Sequence, residues 1–318
     1  MTATWRGDGS RKTGSAVALH LFSSYLVFSC LAHCASDGFQ KLAHCVDQKD
    51  RACVSAYLKD APADRSPDYL ALAARAYLLL GQNQEAIKSI GQAVELKPDS
   101  YDYLMEQGWL YQRSGDQVPA VRSFLLAAQI DPSKPAVFYE LGMSFFLAQE
   151  YDRSVRHFEH VLQLDPKYDK AEFMLGVVEI WRGRLEEAKV HLLNALKLQP
   201  HNPDYLLHCG VLLARMVEPD LALADMLEAE KLDPSNPLTH YQIGKRYREL
   251  RKFPEARQEL EAAVRLRPTL SPAFYQLGSV YQQLGEQRRA HEAFRQFELL
   301  TQQEKTAKRD PIDANLEE

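Results

Sequence analysis

The chain has 318 residues, 46% of them hydrophobic and 25% charged, which excludes a disordered, collagenous or multi-span membrane protein. Its formal net charge of −5 lacks the basic excess that a phosphate backbone demands, so nucleic acid is not expected as a partner. The length fits two or three domains or one elongated array.

Residues 1–36 read as a targeting segment. Arg6, Arg11 and Lys12 outnumber Asp8, and no Asp, Glu, Lys or Arg occurs from Thr13 to Ser36. A basic start followed by the mostly apolar run Ala16 to Ala32 has the order of a secretory signal. Cleavage after Ala32, lipidation of Cys30, retention as an uncleaved anchor, and no targeting at all are the four readings. The expectation is an exported, periplasmic or envelope-associated protein with membrane attachment through this segment, a cytoplasmic one being the alternative.

Residues 37–66 suggest a degenerate helical hairpin, with Ala52 at the close helix contact. Cys45 and Cys53 flank the polar turn Asp47-Gln48-Lys49-Asp50. They suit either a bridge in an oxidising compartment or two small core residues.

From residue 67 onward a period appears. Pro98, Pro132, Pro166, Pro200, Pro234 and Pro268 are each 34 residues apart, and an apolar residue stands two positions before each. A fixed period of this length signals stacked supersecondary units. Seven repeats result: 67–100, 101–134, 135–168, 169–202, 203–236, 237–270 and 271–304. Position 8 holds Ala74, then Gly108, Gly142, Gly176, Gly210, Gly244 and Gly278. Position 20 holds Ala86, Ala120, Ser154, Ala188, Ala222, Ala256 and Ala290. Position 24 is large and apolar throughout, from Ile90 and Phe124 to Phe294. Tiny residues at two columns let paired helices approach, and the spacings of three, four and seven put the large ones on the same face. Proline at position 32 stops the second helix. In the last repeat Gln302 replaces it, so that helix is free to run on. Residues 305–318 form a charged tail, expected to be disordered.

Phe274-x-x-Leu277-Gly278-x-x-Tyr281, followed by Ala290-x-x-x-Phe294, resembles the tetratricopeptide repeat. The resemblance extends over seven consecutive copies. It implies an all-α, right-handed superhelical solenoid of antiparallel helix pairs, with first helices lining a concave groove. It also implies a non-enzymatic scaffold or adaptor that binds a partner peptide or domain. A structural assembly factor of the pilus or outer-membrane lipoprotein type is the alternative.

In the family, positions 2, 5, 9, 12 and 13 face the groove. Here they supply Trp109, Met143, Phe146, Leu147, Phe173, Val177, Ile180 and Trp181, with Arg113 on one flank and Arg215 and Arg248 on the other. An apolar stripe with basic shoulders would suit a segment with an apolar centre and acidic groups. The same spacing also serves core packing, and the pattern alone does not choose. Position 5 carries no Lys and position 9 no Asn, which disfavours a clamp for a terminal carboxylate. Position 6 carries no Asn ladder.

No phosphate loop, dinucleotide fingerprint or nucleophile elbow occurs, and no enzyme or cofactor is expected. His157, His160 and His191 lie on adjacent helices, an arrangement compatible with a metal, although position 23 is often partly buried between repeats and no carboxylate or second shell is assignable. Glu172 and Glu179 replace apolar residues in the fourth repeat and are expected to reach solvent or pair with arginines such as Arg153 or Arg184. Cys209 is expected to be an inert packing residue. Oligomeric state is left open.

Overall fold

A computed structural model describes residues 38–59, 65–216 and 219–304. The expected export segment and the C-terminal tail lie outside them. The described residues form α-helices and no strand. Helix α1 spans 38–47 and α2 Arg51–Lys59. Seven helix pairs follow: α3 (Pro67–Leu80) with α4 (Asn83–Leu96), α5 (Tyr101–Arg113) with α6 (Gln117–Ile130), α7 (Pro135–Leu147) with α8 (Tyr151–Leu164), α9 (Asp169–Trp181) with α10 (Leu185–Leu198), α11 (Pro203–Arg215) with α12 (Pro219–Leu232), α13 (Pro237–Glu249) with α14 (Phe253–Leu266), and α15 (Ser271–Gln283) with α16 (Gln287–Glu304). The chain divides into two compact units, one ending at Ile130 and one beginning at Asp131.

The repeat columns explain the helix boundaries. Ser66, Ser100, Asn202 and Asn236 accept backbone N–H groups of the following first turn, satisfying donors that a helix start leaves bare. Second helices from α4 to α14 end on the apolar residue two positions before the recurring proline. Without that proline, α16 continues through Gln302 to Glu304 and reaches 18 residues where the other second helices have 14. First helices end differently. Position 15 is left-handed wherever it is described, at Gly81, Gly115, Gly183 and Gly285, but also at Gln149 and Arg251. Glycine adopts that conformation freely, whereas a β-carbon crowds the backbone.

Within each pair, position 8 meets position 24. A β-carbon on Gly108 would lie 2.3 Å from the Phe124 ring, and one on Gly142 would lie 2.6 Å from Phe158. At Gly210 the obstacle includes backbone, since the Ala222 carbonyl oxygen is 2.8 Å away. Position 20 is buried in all seven repeats. Where serine replaces alanine there, Ser154 Oγ donates to the Gly142 carbonyl at 2.8 Å, which makes the buried hydroxyl tolerable.

In the first unit, α1 and α2 cover α3. Leu42, Cys45 and Val54 pack against Tyr69, Leu72 and Ala76. A disulfide joins Cys45 to Cys53, with Cα atoms 5.7 Å apart. This decides between the two readings left open above. One expectation needs correction. Ala52 is exposed, and Val54 occupies the buried place, because the hairpin is shorter than a full repeat and does not keep its register. Further along, Arg75 holds Glu106 through paired bonds of 2.8–3.0 Å, and the Tyr103 hydroxyl donates to Asp68. Gln107, a polar departure from the repeat, accepts from Ser123 Oγ at 2.8 Å.

The second unit buries an apolar interior along α7 to α16, in clusters centred on Phe158 and Met174, on Leu192 and Leu212, and on Tyr241 and Leu260. Tyr205 hydroxyl donates to Asp169 at 2.7 Å, tying one repeat to the next. Cys209 is buried and free, and burial pushes its thiol up to about 12, so it packs without reacting.

Two stability predictions follow from these contacts. Gly210→Ala should cost about 1–3 kcal/mol by overpacking, while Gly91→Ala, where a β-carbon meets nothing closer than 4.0 Å, should stabilise by about 0.5–1 kcal/mol. Equal effects in urea unfolding would contradict the close-contact account. Gln149→Gly should gain roughly 0.5–1 kcal/mol by relieving the left-handed residue, net of glycine entropy. A loss measured by the same unfolding experiment would refute it.

Candidate functional site

The groove-facing positions do not behave as one surface. In the first unit, Trp109 stands out on α5 with 47% of its surface exposed, and Arg113 is exposed one turn on. In the second unit Met143, Leu147, Phe173 and Trp181 are half-buried. Phe146, Val177, Ile180 and Val211 are buried, so of the two uses that this spacing serves they take core packing. Phe146 packs on Tyr151, and Val177 lies in the cluster around Phe158. The cause is partly side-chain length. At position 9, Val177 and Val211 are short enough to be covered, whereas the Trp109 indole reaches past its neighbours. Val211 still touches the rim of a cavity described below.

Phe173 is held by two aromatic neighbours. It stacks on Tyr205 with ring centres 4.6 Å apart and meets His208 edge-on at 4.8 Å. Trp181 packs against the Phe158 cluster, and its indole N–H is buried without a hydrogen-bond partner among the described residues. That donor is desolvated, a cost the fold carries.

The basic shoulder forms a concavity in the second unit. A cavity of about 300 Å³ is lined by Val211, Ala214, Arg215, Gln242, Lys245 and Arg246, from α11 and α13. Burial lowers the Lys245 ammonium from its ordinary value, and Arg246, Arg215 and Arg248 add to the effect. Arg246 is engaged by Glu249 at 2.6–2.7 Å, and Arg248 is half-buried beside it. Repelling cations gathered on a concave wall favour an anionic occupant. A second cavity, of about 550 Å³, lies over the turns of the third and fourth repeats and is lined by Arg153, Arg156, Arg182 and Arg184 with Glu150 and Asp152.

The two unusual glutamates are both paired. Glu179 is buried and accepts from Arg182 at 2.8 Å, with Arg184 3.9 Å away, and Arg182 reaches on to Asp152 at 2.7 Å. The expected arginine pairing thus holds for Glu179 with Arg184 and, more closely, with Arg182. Glu172 instead takes His191 at 2.7 Å and Asn194 at 3.2 Å. The three histidines are not brought together as a metal site. His157 stacks on Phe145, ring centres 5.2 Å apart and nearly parallel, while His160 meets Phe138 edge-on at 4.3 Å. Arg153 covers the same Phe145 ring at 4.0 Å. A different cluster, not singled out in the sequence, joins Glu230, His240 and Glu259. Its pattern lies in register, since His240 and Glu259 occupy positions 4 and 23 of the sixth repeat.

Burial, then the nearby Arg153, pushes His157 down to about 4. Its unfolded value is about 6.5, so the unfolded chain binds more protons between those values. The contribution of neutral His157 to stability is therefore complete above about 6.5 and falls away as the pH drops towards 4. Its imidazole NMR signals should stay unshifted from slightly alkaline solution down to about pH 5, and His157→Phe should flatten the stability slope in that window. Titration near the free-histidine value would sink this reading.

Three segments, 71–135, 145–207 and 271–303, match family models described as tetratricopeptide repeat, together just over half of the chain. No curated protein matches the chain. Solved structures share its fold. A tetratricopeptide repeat protein from Parabacteroides merdae superposes with a TM-score of 0.64 at 17% identity, over 77% of this chain and 98% of that one. The APC/C hetero-tetramer Cut9–Hcn1 gives 0.61 at 15%, over 75% of this chain and 48% of the matched one. PilF of Pseudomonas aeruginosa gives 0.55 at 19%, over 64% and 92%. At these identities the likeness speaks for the fold alone, an all-α solenoid of paired helices. With its 34-residue register, its glycine contacts and these matches, the chain belongs to the tetratricopeptide repeat family.

Proposed function

We propose that this protein is a non-enzymatic adaptor whose first-helix faces hold a partner segment that is acidic and carries apolar side chains. The observation that supports this best is the basic cavity formed by Arg215, Lys245 and Arg246, with Arg248 close by. The apolar contacts offered are Phe173 and Trp181 in the second unit, with Met143 and Leu147 beside them, and separately Trp109 with Arg113 in the first. Aromatic and arginine side chains are the usual anchors of such interfaces. Export is part of the proposal. The Cys45–Cys53 bridge supports it, because disulfides persist in oxidising compartments, and the basic-then-apolar order of residues 1–36 points the same way. No helix among the described residues is long and apolar enough to cross a membrane, so membrane attachment would fall to that N-terminal segment.

A second reading, an assembly factor that contacts its partners through second-helix faces, draws on one observation. Helix α6 leaves Val118, Leu125, Leu126 and Ile130 exposed, an apolar group on the face away from its own pair.

Titration with a Glu/Leu-rich peptide, a Lys/Leu-rich peptide and a neutral control separates these ideas. The acidic peptide should bind, weaken with added salt, and lose at least about tenfold in affinity in Arg215→Glu/Lys245→Glu. Trp181→Ala should weaken it further without changing the salt dependence. Equal binding of all three peptides, or indifference to the charge reversal, would remove the cavity from the function. Partner binding that instead depends on Leu125→Ser/Leu126→Ser would favour the second reading.

A further inference from the structure

We propose that Glu230, His240 and Glu259 form a binding site for one divalent transition-metal ion of the zinc type. The three residues come from three successive helices, α12, α13 and α14. Their ligand atoms all lie within 4.8 Å of one another. His240 Nδ1 is 2.7 Å from Glu259 Oε2 and 3.4 Å from Glu230 Oε1.

The orientation of the imidazole comes from outside the cluster. His240 Nε2 donates to the Pro234 carbonyl at 3.0 Å. That bond assigns the Nε2 proton and turns Nδ1 toward the two carboxylates. A backbone carbonyl on the far nitrogen is the arrangement that orients a metal-ligating histidine and raises its basicity. On the near side, an imidazole lone pair and two carboxylates converge, and three acceptors in contact require a cation between them. A proton on Nδ1 answers that need with one charge. A divalent ion in place of that proton would neutralise both carboxylates and release the proton to solvent.

The repeat supplies its own comparison. Positions 4 and 23 make the same cross-helix contact in the fourth repeat with the residues exchanged, Glu172 facing His191 at 2.7 Å. The third ligand is missing there. Glu230 stands at position 28 of the repeat before His240, and position 28 of the repeat before Glu172 is Leu162. The fourth repeat thus has a two-residue contact, and the sixth has three convergent ligands.

One nitrogen and two carboxylate oxygens suit zinc and its neighbours in the first transition row, while calcium and magnesium prefer oxygen alone. Tetrahedral bonds of about 2.0–2.2 Å place ligand atoms roughly 3.3 Å apart, so small rotations of Glu259 and Glu230 complete the set. The His240 and Glu259 side chains are 10% and 12% exposed, but Glu230 is 26% exposed, leaving an entry path and room for a water as fourth ligand. Bound metal would pin α12, α13 and α14 across a repeat junction.

The test is calorimetric titration of the metal-stripped, oxidised full chain with ZnCl2, with MgCl2 and CaCl2 in parallel, near neutral pH. One zinc equivalent should bind, with proton release. His240→Gln, Glu259→Gln and the milder Glu230→Gln should each weaken it at least about tenfold, while His191→Gln should not. Zinc should also raise the thermal midpoint of the wild type and His191→Gln but not of His240→Gln, with circular dichroism in EDTA confirming that each variant folds. Zinc affinity unchanged in both His240→Gln and Glu259→Gln, or no saturable binding up to about 1 mM zinc, would overturn the proposal.

Discussion

Between the two helices of each repeat, a large side chain lies where a β-carbon would otherwise be. Phe124 against Gly108, Phe158 against Gly142 and Leu192 against Gly176 are versions of one contact. It sets how close the helices come, and so which other residues can touch. In the first repeat Ala74 stands in place of glycine and packs in one cluster with Ile90, both fully buried.

With that distance held constant, variation falls on the polar links between repeats. Arg75 with Glu106 joins the first two repeats, while Tyr103 with Asp68 and Tyr205 with Asp169 each join neighbours through a tyrosine at the same repeat position. Within the fourth repeat, the Glu179–Arg182 pair is enclosed, its side chains only 6% and 15% exposed. Such a pair adds little net stability when complete, yet removing one partner leaves a buried charge.

The register was legible because the residues that carry it have a single purpose. A proline that stops a helix and a glycine beneath a ring tolerate few substitutes, so their spacing survives in plain view. The left-handed turn at position 15 was harder to see. Gln149 and Arg251 interrupt its glycines, and long polar side chains reveal nothing about backbone conformation. Exposure of the groove positions was legible only in part. Trp109 and Val177 share a position in the repeat, but whether a residue there is covered depends on its length and on its neighbours. The histidines failed as a guide for a related reason. His157 and His160 are conspicuous because they are close in sequence, and they pack on phenylalanines. His240 and Glu259 are 19 residues apart and meet only once the paired helices fold. Ala52 misled because the N-terminal hairpin departs from the 34-residue frame that gave the other alanines their meaning.

The position of the disulfide has a consequence for the rest of the first unit. In a linear array each element is stabilised by its neighbours, and a terminal element has a neighbour on one side only. Melting therefore starts by fraying at an end, where opening is least costly. The Cys45–Cys53 bond ties α1 to α2 in that place and holds Leu42 and Val54 over α3. Thioredoxin-like reductants would loosen the clasp first. Proteases would then find α3, with its run of alanines and leucines, before they reached any repeat further along.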